Sequence, residues 1–330
     1  MRTYTLTQRQ FGSIASLRLL LLAMLIPTAF MLYGQQESQY TFFMQNELNY
    51  NPAAAGARGV ASITGLYRQQ WAGFEGAPTS QLLSFNSPIL GESVGFGIQL
   101  NHASKGVIDN TYGSMAYNYK LKLSDVASIR LGLQGSLQRW GVDFSDPSVV
   151  LRTDNDNSID LANNFSTLEG NVGAGLLFEM SDYLSVGVGI PHIYKSRISV
   201  DDTKGLEGAR VSPHIHFTAT GLIPFTEKVD FKPSVLVTYV SGAPTSVNVN
   251  FAAVYANQVM AGVSYRSGGD GNGDSIDLLL FYQISNNIGF GGAYDIGISD
   301  IAQQTAGSFE VMGRFDFGSK RDDLVSPRFF

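Results

Sequence analysis

The 330-residue chain has no cysteine, so it offers neither a disulfide framework nor a thiolate metal site, and redox chemistry at sulfur pairs is excluded. Charge is scarce: Asp, Glu, Lys and Arg make up 15% of the residues, against about 25% in soluble domains. The net charge of −6 leaves no basic face of the kind that nucleic acid requires. Beyond the N-terminus no apolar run approaches the ~18 residues of a membrane helix, which argues against a helical membrane protein.

What is present is equally pointed. Hydrophobic residues reach 44%, with 36 Gly, 21 Phe and 15 Tyr. Thr111, Gly113, Met115, Tyr117, Tyr119, Leu121 and Leu123 alternate with Tyr112, Ser114, Ala116, Asn118, Lys120 and Lys122, so one period-2 face is largely apolar and the other largely polar. After Ser124-Asp125 the pattern restarts with Ile129, Leu131, Leu133 and Leu137 against Arg130, Gln134, Ser136 and Gln138, which predicts a hairpin with a short turn. Both arms reach the ~9–11 residues of a tilted membrane-crossing strand.

Arg2, Arg9 and Arg18 precede an apolar run from Leu19 to Tyr33 and then Gly34-Gln35, the order of a secretory signal, so residues 1–34 are expected to be removed on export. Residues 35–57 are aromatic but lack sustained alternation, and Asn51-Pro52 is a turn signal. This stretch reads either as a periplasmic or lumen-folded segment that engages a partner, or as an ordered lead-in to the first strand.

From residue 58 to the end the reading is a barrel with a C-terminal tail. Strand candidates fall at 58–70, 79–90, 93–103, 110–123, 127–140, 168–180, 183–195, 211–224, 229–240, 244–256, 258–267, 274–285, 288–298 and 307–317. About fourteen strands is an even number, as single-chain bacterial barrels require. The links carry an independent signal. Gly91-Glu92, Ser124-Asp125, Ser181-Asp182, Thr226-Lys228, Ala256-Asn257 and Asn286-Asn287 are tight, and they alternate with longer stretches at 72–78, 104–109, 141–167, 196–210, 241–243, 268–273 and 299–306. Short turns at one end and longer loops at the other are the habit of outer-membrane barrels. The expected fold is therefore an all-β transmembrane barrel of antiparallel strands, with a soluble all-β architecture as the alternative.

Signals for bound chemistry are weak. Asp154, Asp156, Ser158 and Asp160, and again Asp270, Asn272 and Asp274, start like a calcium loop, but Ile159 and Phe165 stand where an EF-hand needs Gly and Glu. Solvated loops use the same residues. The pairs Gly95/Gly97, Gly173/Gly175 and Gly187/Gly189 lack the strand-to-helix context of a dinucleotide site and read as small residues on barrel strands. His214 and His216 share one strand face without a third clustered ligand. Glu179, Asp277, Asp295 and Glu310 are expected on lumen faces, paired with Lys120, Lys122, Arg130 and Arg314. No Ser-centred or Asp/His motif nominates a catalytic group, so no metal, cofactor or enzymatic activity is expected.

Three stretches carry a resemblance. Gln39-Tyr40 through Asn51-Pro52-Ala53 and Gly56, then Leu66-Tyr67-Arg68-Gln69-Gln70-Trp71 with Gly73-Phe74-Glu75-Gly76-Ala77-Pro78, and the terminal Ser326-Pro327-Arg328-Phe329-Phe330, resemble the PorP/SprF family of Bacteroidota. The resemblance implies a non-enzymatic outer-membrane component of the type IX secretion system. It further implies support for secretion or surface attachment of adhesins with a type B C-terminal domain, gliding motility in some species, and the periplasmic PorK/PorN assembly as a partner. Tyr67, Arg68 and Trp71 have the composition of an interface hot spot, or of an interfacial aromatic girdle with Arg at the headgroups. They join Asn51 and Pro52 as candidate partner-binding residues. A general diffusion channel or uptake barrel is the competing function, and an outer-membrane enzyme a more distant one.

Overall fold

The computed structural model describes residues 38–91, 93–143, 165–180, 183–197, 210–268, 275–298 and 305–318. The chain divides into two compact units, Met1–Gly34 and Gln35–Phe330. The first, with the expected signal segment, lies outside the described residues. So do the two calcium-loop-like runs, at 154–160 and 270–274, and the terminal residues 326–330.

The second unit is a closed antiparallel barrel of fourteen strands. They are β1 (Ala61–Gln69), β2 (Thr79–Ile89), β3 (Val94–Lys105), β4 (Ile108–Lys122), β5 (Ala127–Val142), β6 (Phe165–Met180), β7 (Leu184–Ile190), β8 (His214–Gly221), β9 (Val229–Val240), β10 (Ser246–Tyr255), β11 (Val259–Ser267), β12 (Ser275–Gln283), β13 (Ile288–Gly297) and β14 (Ser308–Phe317). Each strand pairs with the next, and β1 pairs with β14 from Ala61↔Phe317 to Gln69↔Phe309, which closes the ring. Closure leaves no open sheet edge, the condition for a sheet to sit in lipid.

Alternation along the strands sorts the side chains. On β12 the inward residues are Ser275, Asp277, Leu279, Phe281 and Gln283, and the exposed ones are Ile276, Leu278, Leu280 and Tyr282. On β4 the apolar series Met115, Tyr117, Tyr119 and Leu121 faces out while Ala116 and Asn118 are buried. The apolar outer face meets hydrocarbon, and the polar residues face inward.

Two expected boundaries shift for local reasons. The longer link expected at 104–109 is instead a tight turn, because Gly106 takes a φ of +58° and lets pairing run on to Lys105↔Ile108. The strand expected to run to residue 195 stops at Ile190. Pro191 has no N–H to donate, and its carbonyl turns to accept from Gln134 Nε2 at 3.0 Å.

Ahead of β1 the chain makes three short 3-10 turns, Phe43–Gln45, Glu47–Asn49 and Pro52–Ala54. Asn51 organises the third: its Oδ1 accepts from Ala53 N at 2.9 Å, its Nδ2 donates to the Leu176 carbonyl at 3.0 Å, and Pro52 supplies the φ of the first turn position. Asn51→Ala removes both bonds. A loss of about 1–3 kcal/mol is expected, read as a lower denaturant midpoint of the detergent-folded barrel.

Candidate functional site

The candidate site is the barrel interior, which residues 38–60 occupy. Tyr40, Phe42, Phe43, Met44, Tyr50 and Ala53 are all buried. They meet the wall in two chemically different ways.

On the side of β11 to β14 and β1 the contacts are ionic and apolar. Thr41 N and Phe42 N donate to the two carboxylate oxygens of Glu310 at 2.8 and 3.0 Å. Thr41 Oγ1 donates to Asp295 Oδ1 at 3.0 Å and accepts from Arg68 Nη1 and Arg266 Nη2 at 3.0 and 2.9 Å. Arg68 also pairs with Asp295 and with Glu310, and Arg266 pairs with Asp277 and Asp295, both at 3.3 Å. Lower down, Arg314 donates to Gln45 Oε1 at 2.8 Å, pairs with Asp316 at 3.2 Å and lies 4.7 Å over the Phe281 ring. Arg58 reaches Asp316 at 3.2 Å. Four arginines thus face Asp277, Asp295, Glu310 and Asp316, so the buried charge balances; an unpaired ion there would carry several kcal/mol of desolvation. Between these ion pairs Phe42, Phe43 and Met44 join Leu66, Leu279, Phe281 and Met312 in a buried hydrophobic cluster.

On the side of β3 to β7 the wall is cut back with glycine. A Cβ on Gly132 would sit 2.5 Å from both Ala53 Cα and the Pro52 carbonyl carbon, and one on Gly95 would stand 2.6 Å from the Ala55 carbonyl carbon. A Cβ on Gly175 would strike Asn51 Oδ1, and one on Gly189 would lie 2.6 Å from Asn51 Cα. At Gly95, Gly132 and Gly189 these are backbone approaches that only glycine allows, and at Gly175 the close neighbour is the Asn51 side chain. Asn118 Nδ2 completes the seat by donating to the carbonyls of Ala53, at 2.9 Å, and Ala55.

Outside the strands, burial raises the Tyr40 and Tyr50 phenols well above their ordinary range, so both stay protonated. Burial also lowers the Arg58 guanidinium, against which Asp316 pulls.

The five candidate partner-binding residues do not form one surface. Tyr67 faces outward, with its ring centroid 6.3 Å from that of Phe309, while Arg68 points into the lumen and is 2% exposed, as neighbours on one strand must. Trp71, at a φ of +48°, follows β1 at the longer-loop end and donates its backbone N–H to Ser308 Oγ at 3.1 Å. Asn51 and Pro52 are buried against the glycine seat. The acids expected on lumen faces are there, but their partners differ. Glu179 takes Arg130 at 2.7 Å as expected, whereas Asp277, Asp295 and Glu310 take Arg266 and Arg68. Lys120 and Lys122 sit near the short-turn end of β4, far along the wall from the Arg68 network. Parity could have revealed Arg68, since Ser62 and Thr64 put the polar face of β1 on its side. His214 and His216 stack with centroids 6.1 Å apart, and Tyr50 meets His216 edge-on at 5.2 Å.

No curated protein matches the sequence. Among solved structures the chain is similar to the CymD monoaromatic hydrocarbon channel, at 12% identity and a TM-score of 0.50 over 83% of this chain and 93% of that one. It is similar also to a FadL homologue from Pseudomonas aeruginosa, at 13% identity and 0.46 over 81% and 93%, and to the toluene transporter TbuX from Ralstonia pickettii, at 7% and 0.47 over 83% and 92%. At such identities the likeness concerns the barrel fold alone. Residues 32–315 match the family described as Type IX secretion system membrane protein PorP/SprF. The chain belongs to that family, and with its closed lipid-facing barrel it is an outer-membrane component of the type IX secretion system.

Proposed function

We propose that this protein is a sealed, non-enzymatic scaffold that supports secretion or surface anchoring of cargo bearing a type B C-terminal domain, such as a gliding adhesin, and that it engages the PorK/PorN assembly from the periplasmic side. The observation that carries a scaffold over a conduit is the interior itself. Hydrogen bonds to buried charged groups and the Arg58–Asp316 ion pair hold the inner segment to one wall and backbone approaches seat it on the other, so an open path for solute requires both to be broken. Of the five sequence candidates, Tyr67 and Trp71 are those that a partner outside the lumen can reach. Arg68, Asn51 and Pro52 act through the filling of the interior.

Two measurements test this. The full-length processed chain in planar bilayers is expected to give no conductance steps, and deletion of residues 38–57 is expected to give steps if a folded barrel forms. Steady open conductance of the intact chain favours the diffusion-channel reading and overturns the sealed one. Mild-detergent purification is expected to recover an adhesin C-terminal domain or PorK/PorN with the barrel, and repeated recovery of the barrel alone counts against the scaffold.

A further inference from the structure

The inner segment has a direction, and it crosses the whole lumen. Short turns join β2 to β3, β4 to β5 and β12 to β13, whereas the links at the other end are longer apart from the Gly106 turn, so Ile89, Val94, Lys122, Ala127, Gln283 and Ile288 mark the periplasmic end of the wall, and the opposite strand ends mark the outside. The described chain starts at that outer end. Ser38 Oγ accepts from Ser80 Oγ at 2.8 Å, on the second residue of β2, and Gln39 Nε2 donates to Ser246 Oγ at 3.0 Å, on the first residue of β10. Thr41 is held by Asp295 and Glu310, near the outer ends of β13 and β14. The chain then descends. Asn46 accepts from Ser84 at mid-wall, Gly56 N donates to Asn86 in the lower part of β2, and Arg58 reaches Asp316, one residue from the periplasmic end of β14. Only there does β1 begin and climb back out.

We infer that the inner segment is threaded from the extracellular mouth of the barrel, so that Ser38 and Gln39 stand toward the outside of the cell and away from the periplasm. Seven contacts, made to strands on different sides of the ring, agree on the direction. The seam supplies the reason the segment stays threaded. Arg68 on β1 and Glu310 on β14 are register partners across the closing pair, and both bind Thr41 or its neighbour, so the wall closes around the segment. A segment lying below the barrel, available to periplasmic proteins, would place Ser38 and Gln39 beside the short turns. They stand at the other end.

The inference needs the orientation of the barrel but not the secretion reading, so either can fail without the other. The absence of native cysteine makes the test clean. Single substitutions Ser38→Cys, Glu75→Cys in the exposed outer link and Asn286→Cys in an exposed short turn are probed on intact cells with a membrane-impermeant maleimide. Because Ser38 is half-buried, a short epitope inserted directly before it is probed in parallel with antibody. Heat-modifiable mobility on gels confirms that each variant has folded. The Ser38 epitope is expected to be detected on intact cells within about threefold of an epitope at Glu75, and at least tenfold above one at Asn286. Detection at the Asn286 level on intact cells, rising only after the outer membrane is permeabilised, overturns the inference. Labelling of Ser38→Cys on intact cells supports it, and labelling confined to permeabilised cells while the Glu75 site reacts normally overturns it.

Discussion

Arg68→Met is expected to cost the folded barrel about 3–5 kcal/mol, because it deletes the cation shared by Asp295 and Glu310 while leaving both carboxylates buried. Arg68, Asp295 and Glu310 are each at most 2% exposed, so water cannot replace the guanidinium without the interior opening. Loss of the bond to Thr41 Oγ1 at 3.0 Å loosens the inner segment where it enters the outer mouth. The measurement is the denaturant midpoint of the detergent-folded barrel, followed by the gel shift between folded and unfolded forms. Arg68→Lys is expected to recover only part of the loss, since one ammonium cannot span both acids and Thr41 as the planar fork does. The double variant Arg68→Met/Glu310→Gln is expected to be more stable than Arg68→Met alone, because it neutralises the acid that loses its cation, whereas Asp295 keeps Arg266. An Arg68→Met barrel with an unchanged midpoint would show that the ion pairs contribute little to holding the interior together.

A second large effect is expected on the opposite wall. Gly132→Leu drives a side chain into the backbone of Pro52 and Ala53, which cannot turn aside as a flexible side chain can. Overpacking against mobile neighbours costs ~1–3 kcal/mol, and a collision with backbone at 2.5 Å belongs at or above the top of that range. The expected readouts are a lowered midpoint and, in planar bilayers, conductance steps not expected of the parent, as the 52–54 turn leaves its seat. Gly135 on the same strand faces outward, and a Cβ there would have nothing within 4 Å. Gly135→Leu, three residues away, is expected to change neither readout. Equal behaviour of the two variants would remove the glycine seat as an explanation for the proposed sealing.

The barrel could be read in advance because lipid imposes a simple rule on every strand. A residue either meets hydrocarbon or does not, so Leu278, Leu280 and Tyr282 advertise their face, and Asp277 and Gln283 advertise the other. Turn chemistry located most strand ends within a few residues. It failed at 104–109, where one glycine conformation turned an apparent loop into a tight hairpin. The filling of the interior was less legible. Gly95, Gly97, Gly175 and Gly189 read as small residues on strands because the object they make room for, the stretch from Leu48 to Ala55, is distant in sequence and has no periodicity of its own. Arg68 looked like an interface residue because it stands between aromatics in the sequence. In space its neighbours on β1 point the other way, and its partners come from β13 and β14.

Local periodicity and local turn residues were enough to specify the wall: about fourteen strands, their alternation and, but for the Gly106 turn, the end that carries the short turns. What stands inside that wall, and in which direction it runs, emerged from the three-dimensional arrangement alone. Pairing between Arg68 and Asp295, or contact between Gly132 and Ala53, depends on which residues closure of the ring brings to the same height, and that is a property of strand register summed around the whole barrel.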